Sequence, residues 1–210
     1  MALFLVRHGQ TTANAKGLFY GSTDLELTET GMAQAQQIGS LLKNVEFESV
    51  YCSGLQRTQQ TASAILQLPI RTQLSPPNRY IDPRLNELDF GDWEMRHYQE
   101  IAQHDPQSWQ SWITDWQQAI PTGGESFQHF AARVSEYAQQ LRTEATAGHQ
   151  LIVAHQGVLR LILTQLLDMP VASMWHFSFQ HNAYSVVENN SGFAVLRILN
   201  GQMPYQPEIS

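Results

Sequence analysis

Two apolar runs in this chain each lead into a histidine that is followed closely by a glycine, in segments 3–9 and 151–157. Unbroken apolar runs without polar alternation are typical of strands buried on both faces of a parallel sheet. Open α/β sheets bind ligands beyond the carboxyl ends of their strands. We therefore expect Arg7 and His8, after the first run, to meet His155, after the second, at one ligand site. A strand end with solvated polar residues explains either run alone, but explains the pair poorly.

Turn signals and apolar spacing divide the chain into alternating strands and helices. Helices are predicted at about 29–42, after Ser53, and at 97–118, 125–146 and 158–167, and further strands at about 48–52, within 69–82, and at 184–188 and 193–199. This order predicts one domain over 1–210, an α/β fold with three α/β/α layers around a mostly parallel sheet. Segment 90–122 is predicted to form a helical cap over the site, and 202–210 a loose tail.

Composition limits the partners that this chain could have. Its 210 residues are 42% hydrophobic and carry a formal charge of −7, which describes a soluble globular protein whose surface does not attract nucleic acid or anionic lipid. No apolar run approaches the roughly 18 residues of a membrane span, and no basic leader precedes one. We expect a cytoplasmic enzyme with a small-molecule substrate, without a nucleic-acid partner or membrane insertion, and with no oligomeric state indicated.

The single cysteine, Cys52, excludes an intramolecular disulfide framework and a cysteine metal cluster. It follows the apolar and aromatic residues of a predicted strand. This setting favours a packed thiol over a nucleophile.

Cationic and polar residues follow the first two predicted strands. Arg57 lies one turn into a helix that Ser53 is expected to cap, and a helix N-terminus together with a guanidinium matches phosphate oxygens. Loop 10–24 is long for its position, and such loops are often functional. Within it Thr11, Thr12 and Asn14 could donate to a bound oxyanion, although local turn chemistry explains the threonines equally well.

Segment 85–94 places four carboxylates, among them Glu87, between apolar and aromatic residues. Such surroundings can desolvate a carboxyl and favour the protonated form that a general acid requires. A solvated acidic loop is the alternative. Farther on, Trp109, Trp112 and Trp116 fall on one face of a predicted helix, a pattern more often found in a core than in a ligand wall.

Four motifs, taken in order, resemble the histidine phosphatase superfamily, which contains acid-type phosphatases and cofactor-dependent phosphoglycerate mutases. They are Arg7-His8-Gly9 after the first strand, Ser53-x-x-x-Arg57-Thr58, a downstream Glu87, and Ala154-His155-Gln156-Gly157 after a late strand. The resemblance covers about 3–199 and implies a phosphoglycerate mutase-like fold.

The resemblance also implies roles for single residues. His8 would attack phosphorus and form a phosphohistidine, while Arg7, Arg57 and His155 hold the phosphate oxygens with help from Asn14. Glu87 would protonate the leaving oxygen and then activate water. No metal or cofactor is implied, because the two arginines supply the positive charge.

Within the superfamily, segment 85–97 resembles the alpha-ribazole phosphatases of cobalamin biosynthesis, as do 114–117, 121–125, 155–159, 169–170 and 174–177. Met95 and Gln156 stand where many histidine phosphatases have glycine. The implied substrate is alpha-ribazole 5'-phosphate or the adenosylcobalamin 5'-phosphate made from it, whose flat dimethylbenzimidazole could stack on a tryptophan. The pocket candidates are Thr11, Gly21, Trp93, Trp109, Trp112, Trp116 and Gln156.

Other functions use overlapping residues. A broad-specificity or sugar-phosphate phosphatase is the main alternative. A phosphoglycerate mutase is less favoured, because Glu87 lies nine residues before the Arg96-His97-Tyr98 run that resembles that family. A non-catalytic phosphate-binding module is a minor alternative, since nucleophile and acid are both present. A histidine metal site is disfavoured because the six other histidines lack tight ligand spacing and arginine beside His8 would repel a cation.

Overall fold

The computed structural model describes residues 2–67, 76–143, 148–190 and 192–206. Six strands lie within these ranges: β1 (Ala2–Arg7), β2 (Phe47–Cys52), β3 (Asn78–Ile81), β4 (His149–Ala154), β5 (Tyr184–Asn190) and β6 (Phe193–Gly201). The same ranges contain seven α-helices: α1 (Thr12–Lys16), α2 (Glu29–Leu41), α3 (Gln56–Leu66), α4 (Tyr98–His104), α5 (Pro106–Thr114), α6 (Phe127–Thr143) and α7 (Gln156–Leu166).

The strands form one sheet in the order β3-β2-β4-β1-β5-β6. The first four run parallel, β5 pairs antiparallel with β1, and β6 pairs antiparallel with β5. Arg7 lies beside Ala154 in the β1–β4 ladder, so the two histidines that follow these residues leave the sheet at the same edge. Their rings are 5.1 Å apart between centroids. The predicted mixed, mostly parallel α/β sheet is confirmed.

Helices cover both faces of the sheet. Leu3 and Leu5 of β1 pack into a core with α6 and α7, whereas Phe4 and Val6 pack into a second core with α2 and α3. Successive side chains of a strand point to opposite faces, so a strand buried on both sides needs an unbroken apolar run. This three-layer arrangement explains why β1 carries no polar side chain before Arg7.

The tryptophan-rich segment forms two helices, and the prediction of one continuous helix over 97–118 is wrong. α4 ends before Asp105, whose φ of −136° and ψ of 60° are not helical, and α5 begins at Pro106. Proline lacks an N–H and disfavours a helical conformation in the residue before it, so the chain breaks there. Trp116 consequently lies beyond α5, in the turn that follows.

Three terminal or capping predictions also differ from the structure. Leu55, not Ser53, precedes the first residue of α3, and Thr11 caps the short α1 inside the loop predicted over 10–24. Tyr205 is docked instead of loose, because its N–H donates to the carbonyl of Leu41 and its ring lies 5.0 Å from that of Phe4.

Some predicted ends fall outside the described residues. These are the first part of the strand predicted within 69–82, the end of the helix predicted to 146, and the last four residues of the tail.

Two expectations from composition concern single features. Cys52 is buried, as predicted, and burial raises the pKa of its thiol to about 12, which leaves no thiolate near neutral pH. Among the described residues, no helix combines the length and the apolar character that crossing a bilayer requires.

Candidate active site

His8 follows β1 and is held with one ring nitrogen free to react. Its side chain is 2% exposed, and Nδ1 lies 2.7 Å from the carbonyl oxygen of Gly9. A carbonyl only accepts, so Nδ1 carries the proton and Nε2 carries the lone pair. Burial, followed by the charges of Arg57 and Arg7, holds the pKa of His8 well below its ordinary value. At neutral pH this side chain is an uncharged imidazole with a nucleophilic Nε2.

His155 occupies the residue before α7 and contacts two polar side chains. Nε of Arg57 donates to its Nδ1 at 3.2 Å, and its Nε2 lies 2.9 Å from Oγ of Ser53. Because a guanidinium N–H only donates, Nδ1 is the acceptor and Nε2 donates to Ser53. Burial and the neighbouring Arg57 keep the pKa of His155 well below its ordinary value. The neutral ring therefore lies beside His8 without adding charge.

Arg57 is positioned by backbone carbonyls. It donates through Nη1 to the carbonyl of Thr23 at 2.9 Å and through Nη2 to that of Gly21 at 2.6 Å, and its guanidinium lies 4.7 Å from the centre of the Tyr20 ring. Within the described ranges no carboxylate is close enough to form an ion pair with it. The guanidinium charge therefore remains available to an anion in the cavity.

Arg7 lies on the other side of His8. Nη1 donates to the carbonyl of Phe179 at 3.1 Å, while Nε is buried without a hydrogen-bond partner among the described residues. A buried N–H without an acceptor is costly, and a bound anion would satisfy it. Burial lowers the pKa of Arg7, although the group stays cationic.

Glu87 is held at the wall of the same cavity by backbone amides. Its Oε2 accepts from the N–H of Gly157 at 3.0 Å and its Oε1 from that of Leu88 at 3.2 Å. A Cβ on residue 157 would lie 2.6 Å from Oε1, so a glycine is needed there. The glycine after His155 thus allows the carboxyl group to approach the start of α7.

Arg133 and Glu125 position the backbone of the segment that carries Glu87. Arg133 donates to the carbonyls of Arg84, Asn86 and Glu87 at 2.6–3.1 Å, and its guanidinium forms a two-point ion pair with Glu125 at 2.8 and 2.9 Å. Neither side chain belongs to the lining of the cavity. Their effect on the site is exerted through Glu87.

One cavity of about 370 Å³ collects most of the sequence candidates: Arg7, His8, Asn14, Arg57, Glu87, His155 and Gln156. Asn14 accepts through Oδ1 from the hydroxyl of Tyr20 at 2.7 Å, which leaves its Nδ2 as a donor for a ligand. Among the residues that the structure describes, Glu87 is the one carboxylate in the lining, and two guanidinium groups oppose it. This balance suits a tetrahedral oxyanion with a proton donor beside it.

The other candidates lie behind this lining or beside it. Thr11 is buried and serves the cap of α1, and Gly21 contributes its carbonyl to Arg57. Trp93 is buried with its indole N–H donating to Asp105 at 2.9 Å, and Trp109 packs against its ring. Trp116 lies at a neighbouring cavity and not in the first one.

Three residues at the site were not found by sequence reasoning. Tyr20 lies under Arg57, Ser53 contacts His155, and His181 places Nδ1 2.6 Å from the carbonyl oxygen of His8. Burial, with a smaller effect of Arg7, lowers the pKa of His181 to about 4. Ser53 belonged to a recognised motif but was interpreted as a helix cap, whereas no local pattern marks Tyr20 or His181.

Comparison with known proteins agrees with this geometry. Residues 3–201 match the model of the histidine phosphatase superfamily (branch 1). The chain is 43% identical over 208 residues to an adenosylcobalamin/alpha-ribazole phosphatase of Salmonella typhimurium, covering 99% of this chain and 100% of that protein. The Escherichia coli protein of the same name is 43% identical over 205 residues, covering 96% and 97%. The crystal structure of the alpha-ribazole phosphatase from Shigella flexneri has a TM-score of 0.91 at 43% identity, covering 99% and 100%.

Proposed function

The chain belongs to the histidine phosphatase superfamily, and on this premise we propose that it hydrolyses alpha-ribazole 5'-phosphate, or the 5'-phosphate of adenosylcobalamin, to an alcohol and inorganic phosphate. The observation that carries the proposal is the state of His8, whose proton is fixed on Nδ1 while Nε2 opens to a cavity flanked by Arg7 and Arg57. The names of the relatives support the choice of substrate.

In the first step, Nε2 of His8 attacks phosphorus as the bond from phosphorus to the ester oxygen breaks. Arg7 and Arg57 stabilise the charge on the phosphoryl oxygens, which is the main requirement of phosphoryl transfer. Protonated Glu87 gives its proton to the departing alcohol oxygen. The products of this step are the free alcohol, a phosphohistidine at residue 8 and a Glu87 carboxylate.

In the second step, a water molecule attacks the phosphohistidine. The Glu87 carboxylate takes a proton from that water as the phosphorus–nitrogen bond breaks and electrons return to Nε2 of His8. The hydrogen bond from Nδ1 to the carbonyl of Gly9 holds the imidazole in the correct tautomer throughout. Phosphate leaves, and Glu87 is protonated again for the next cycle.

His155 and Asn14 complete the proposed phosphate site. When an anion binds Arg57, the N–H that Arg57 gives to Nδ1 of His155 has a competing acceptor, and the ring of His155 can then donate from Nδ1 to the anion. Ser53, within 2.9 Å of Nε2, can supply the complementary hydrogen bond because a hydroxyl both donates and accepts. This exchange moves the ring proton of His155 from Nε2 to Nδ1, and Nε of Arg57 must turn toward the anion, because two N–H groups cannot face each other at 3.2 Å.

Segment 90–122 contributes to the proposed cap mainly through Phe90, which lines the phosphate cavity. Trp109 of α5 forms an aromatic cluster with Phe19 and Trp93, and Tyr98 of α4 stacks on Trp109. We propose that this cluster keeps water away from the ester during the first step.

The cytoplasmic location and the lack of a nucleic-acid partner remain predictions from composition.

Phosphate release by the purified protein, with chelator present, tests this proposal. Alpha-ribazole 5'-phosphate is compared with ribose 5-phosphate, p-nitrophenyl phosphate and 3-phosphoglycerate, and we expect the highest kcat/KM for the ribazole ester. Similar values for all esters would favour the broad-specificity alternative. His8→Ala should abolish turnover, and labelled phosphate should be trapped on the wild-type chain as an acid-labile, alkali-stable adduct that this variant lacks. A chain that binds phosphate without turnover would be the non-catalytic module.

A further inference from the structure

A second cavity, of about 300 Å³, adjoins the phosphate cavity. The two share Phe19, Glu87, Phe90 and Gln156 in their linings, so they meet where the proposed proton donor lies. A leaving-group oxygen that receives a proton from Glu87 must lie at this junction. Whatever that oxygen is attached to then extends from the phosphate site into the second cavity.

The wall of this second cavity is largely aromatic and aliphatic. It includes Trp112, Trp116, Phe127, Met174 and Trp175, while Glu87 and Arg160 are the charged residues of its lining. An apolar cavity of about 150 Å³ already accepts a benzene ring, so a cavity twice that size has room for two fused rings. Flat aromatic groups gain more here than aliphatic ones, because aromatic walls add edge-to-face and stacking contacts.

Trp175 has the geometry of a stacking surface that is already fixed. Its exposed fraction is 51%, although a tryptophan normally buries more of its surface than that. The indole is held from two sides: Trp116 meets it edge-on, at 5.2 Å and 89°, and the guanidinium of Arg160 lies 5.1 Å from its ring centre. Arg160 is in turn anchored by a 2.6 Å hydrogen bond from Nε to the carbonyl of Phe177.

We propose that this cavity binds the flat aromatic base of the leaving group, with Trp116 and Trp175 as its principal contacts. The inference rests on the proposed function, since it assigns the dimethylbenzimidazole ring of alpha-ribazole to a place in the same site. It narrows the tryptophan candidates to those at the second cavity and leaves out Trp93 and Trp109. A rigid aromatic wall also favours binding of the ring, because its side chains lose little conformational entropy when the ring binds.

Binding of alpha-ribazole without its 5'-phosphate tests this site separately from catalysis. Tryptophan fluorescence follows the titration in the wild type, in Trp175→Ala and Trp116→Leu, and in Phe193→Ala, the control, which removes an exposed aromatic ring from outside both cavities. We expect the first two variants to weaken binding about tenfold, the loss of one aromatic contact, and the control to bind as the wild type does. Equal affinity in all four proteins, or no binding by the wild type at millimolar ligand, would overturn the inference.

Turnover provides the second measurement. Trp175→Ala should raise KM for alpha-ribazole 5'-phosphate about tenfold while changing kcat/KM for ribose 5-phosphate, which lacks the base, less than twofold. An equal loss for both esters would mean that Trp175 supports the phosphate site and not the base. If alpha-ribazole binds as expected but its 5'-phosphate is not hydrolysed, the proposed function fails while the aromatic site stands.

Discussion

The carboxylate of Glu94 accepts a hydrogen bond from the backbone N–H of Gly21 at 2.7 Å, while the carbonyl of that glycine accepts one from Arg57 at 2.6 Å. The same carboxylate also accepts from the backbone N–H groups of Ser22 and Thr23, each at 3.1 Å. One acidic side chain thus fixes the loop whose carbonyls orient the guanidinium that is proposed to bind phosphate. Glu94 is a positioning residue for Arg57.

Glu94→Gln should weaken oxyanion binding, although it changes one atom. Both oxygens of Glu94 accept, Oε1 from Gly21, Ser22 and Phe90 and Oε2 from Thr23, so either orientation of the amide turns an NH₂ group toward a donor. Hydrogen bonds to a charged group contribute about 1.5–3 kcal/mol each. We expect kcat/KM to fall at least about tenfold for every ester, with a matching loss in inhibition by vanadate.

Asp92→Asn is the control for that variant, because Asp92 lies in the same segment and outside the cavity. It should retain the wild-type kcat/KM. Unchanged vanadate inhibition in Glu94→Gln would show that the loop holds Arg57 without the carboxylate.

Glu87→Gln should slow the first proposed step only for esters whose leaving group needs a proton, and should slow the second step for every ester. An alcohol needs a proton in order to leave, whereas p-nitrophenolate leaves without one. The variant should therefore slow alpha-ribazole 5'-phosphate at least about a hundredfold, the usual size of a general-acid effect. With p-nitrophenyl phosphate, the first turnover should stay near the wild-type rate and later turnovers should slow, because water is no longer activated.

Rapid-quench measurement of p-nitrophenol detects that first turnover as a burst. The control is Glu26→Gln, which replaces an exposed carboxylate outside the cavity. The size and rate of its burst should equal those of the wild type. Equal slowing of both esters in the first turnover would argue that Glu87 positions the phosphate instead of donating a proton.

Local sequence patterns predicted the strand ends and the charged residues that follow them, but they did not predict the contacts between distant segments. The apolar runs of β1 and β4 predicted the strands, and a parallel sheet brought His8 and His155 to one edge. Ser53, by contrast, reaches His155 across 102 residues, and His181 reaches His8 across 173. Such pairings depend on strand order and on the path of a late loop, which periodicity does not report.

The error in segment 97–118 has a related cause. The spacing of Trp109, Trp112 and Trp116 suggested one helix face, yet Pro106 divides the segment and Trp116 falls beyond α5. Trp109 then joins the cluster around Trp93, while Trp116 turns toward Phe127 and Trp175. The periodic pattern contained Trp112 and Trp116, which line the second cavity, but it also contained Trp109, which does not, and it missed Trp175.

Stability should fall on mild acidification, because the site buries histidines in their neutral form. Burial and nearby arginines lower the pKa of His8 and His155 well below the ordinary value, and that of His181 to about 4. Above about pH 6.5 both folded and unfolded histidines are neutral, so no stability difference arises. Below it the unfolded chain takes up protons that the folded chain excludes, and the free energy of unfolding falls as pH decreases.

Urea denaturation between pH 7.5 and 5.0 measures this slope. A full proton of difference changes the free energy of unfolding by about 1.4 kcal/mol per pH unit, so His181→Gln should make the slope shallower by up to that amount. The neighbouring Asn182→Ala removes no titrating group and should keep the wild-type slope. A slope unchanged by His181→Gln would mean that His181 titrates alike in the folded and unfolded chains.

Met95→Gly should stabilise the protein, since Met95 has a backbone conformation that suits glycine. Its φ is +62°, and its N–H donates to the carbonyl of Phe19 at 2.7 Å, which holds the chain in that turn. A left-handed conformation costs a residue with a Cβ about 1 kcal/mol or more, and glycine avoids that cost. For a chain of this length we expect a Tm increase of roughly 2–4 °C.

Met95→Ala keeps the Cβ and should show no increase, so calorimetry of the two variants separates relief of strain from loss of the thioether side chain. An equal shift in both would locate the effect in the side chain, which is 39% exposed, and not in the backbone.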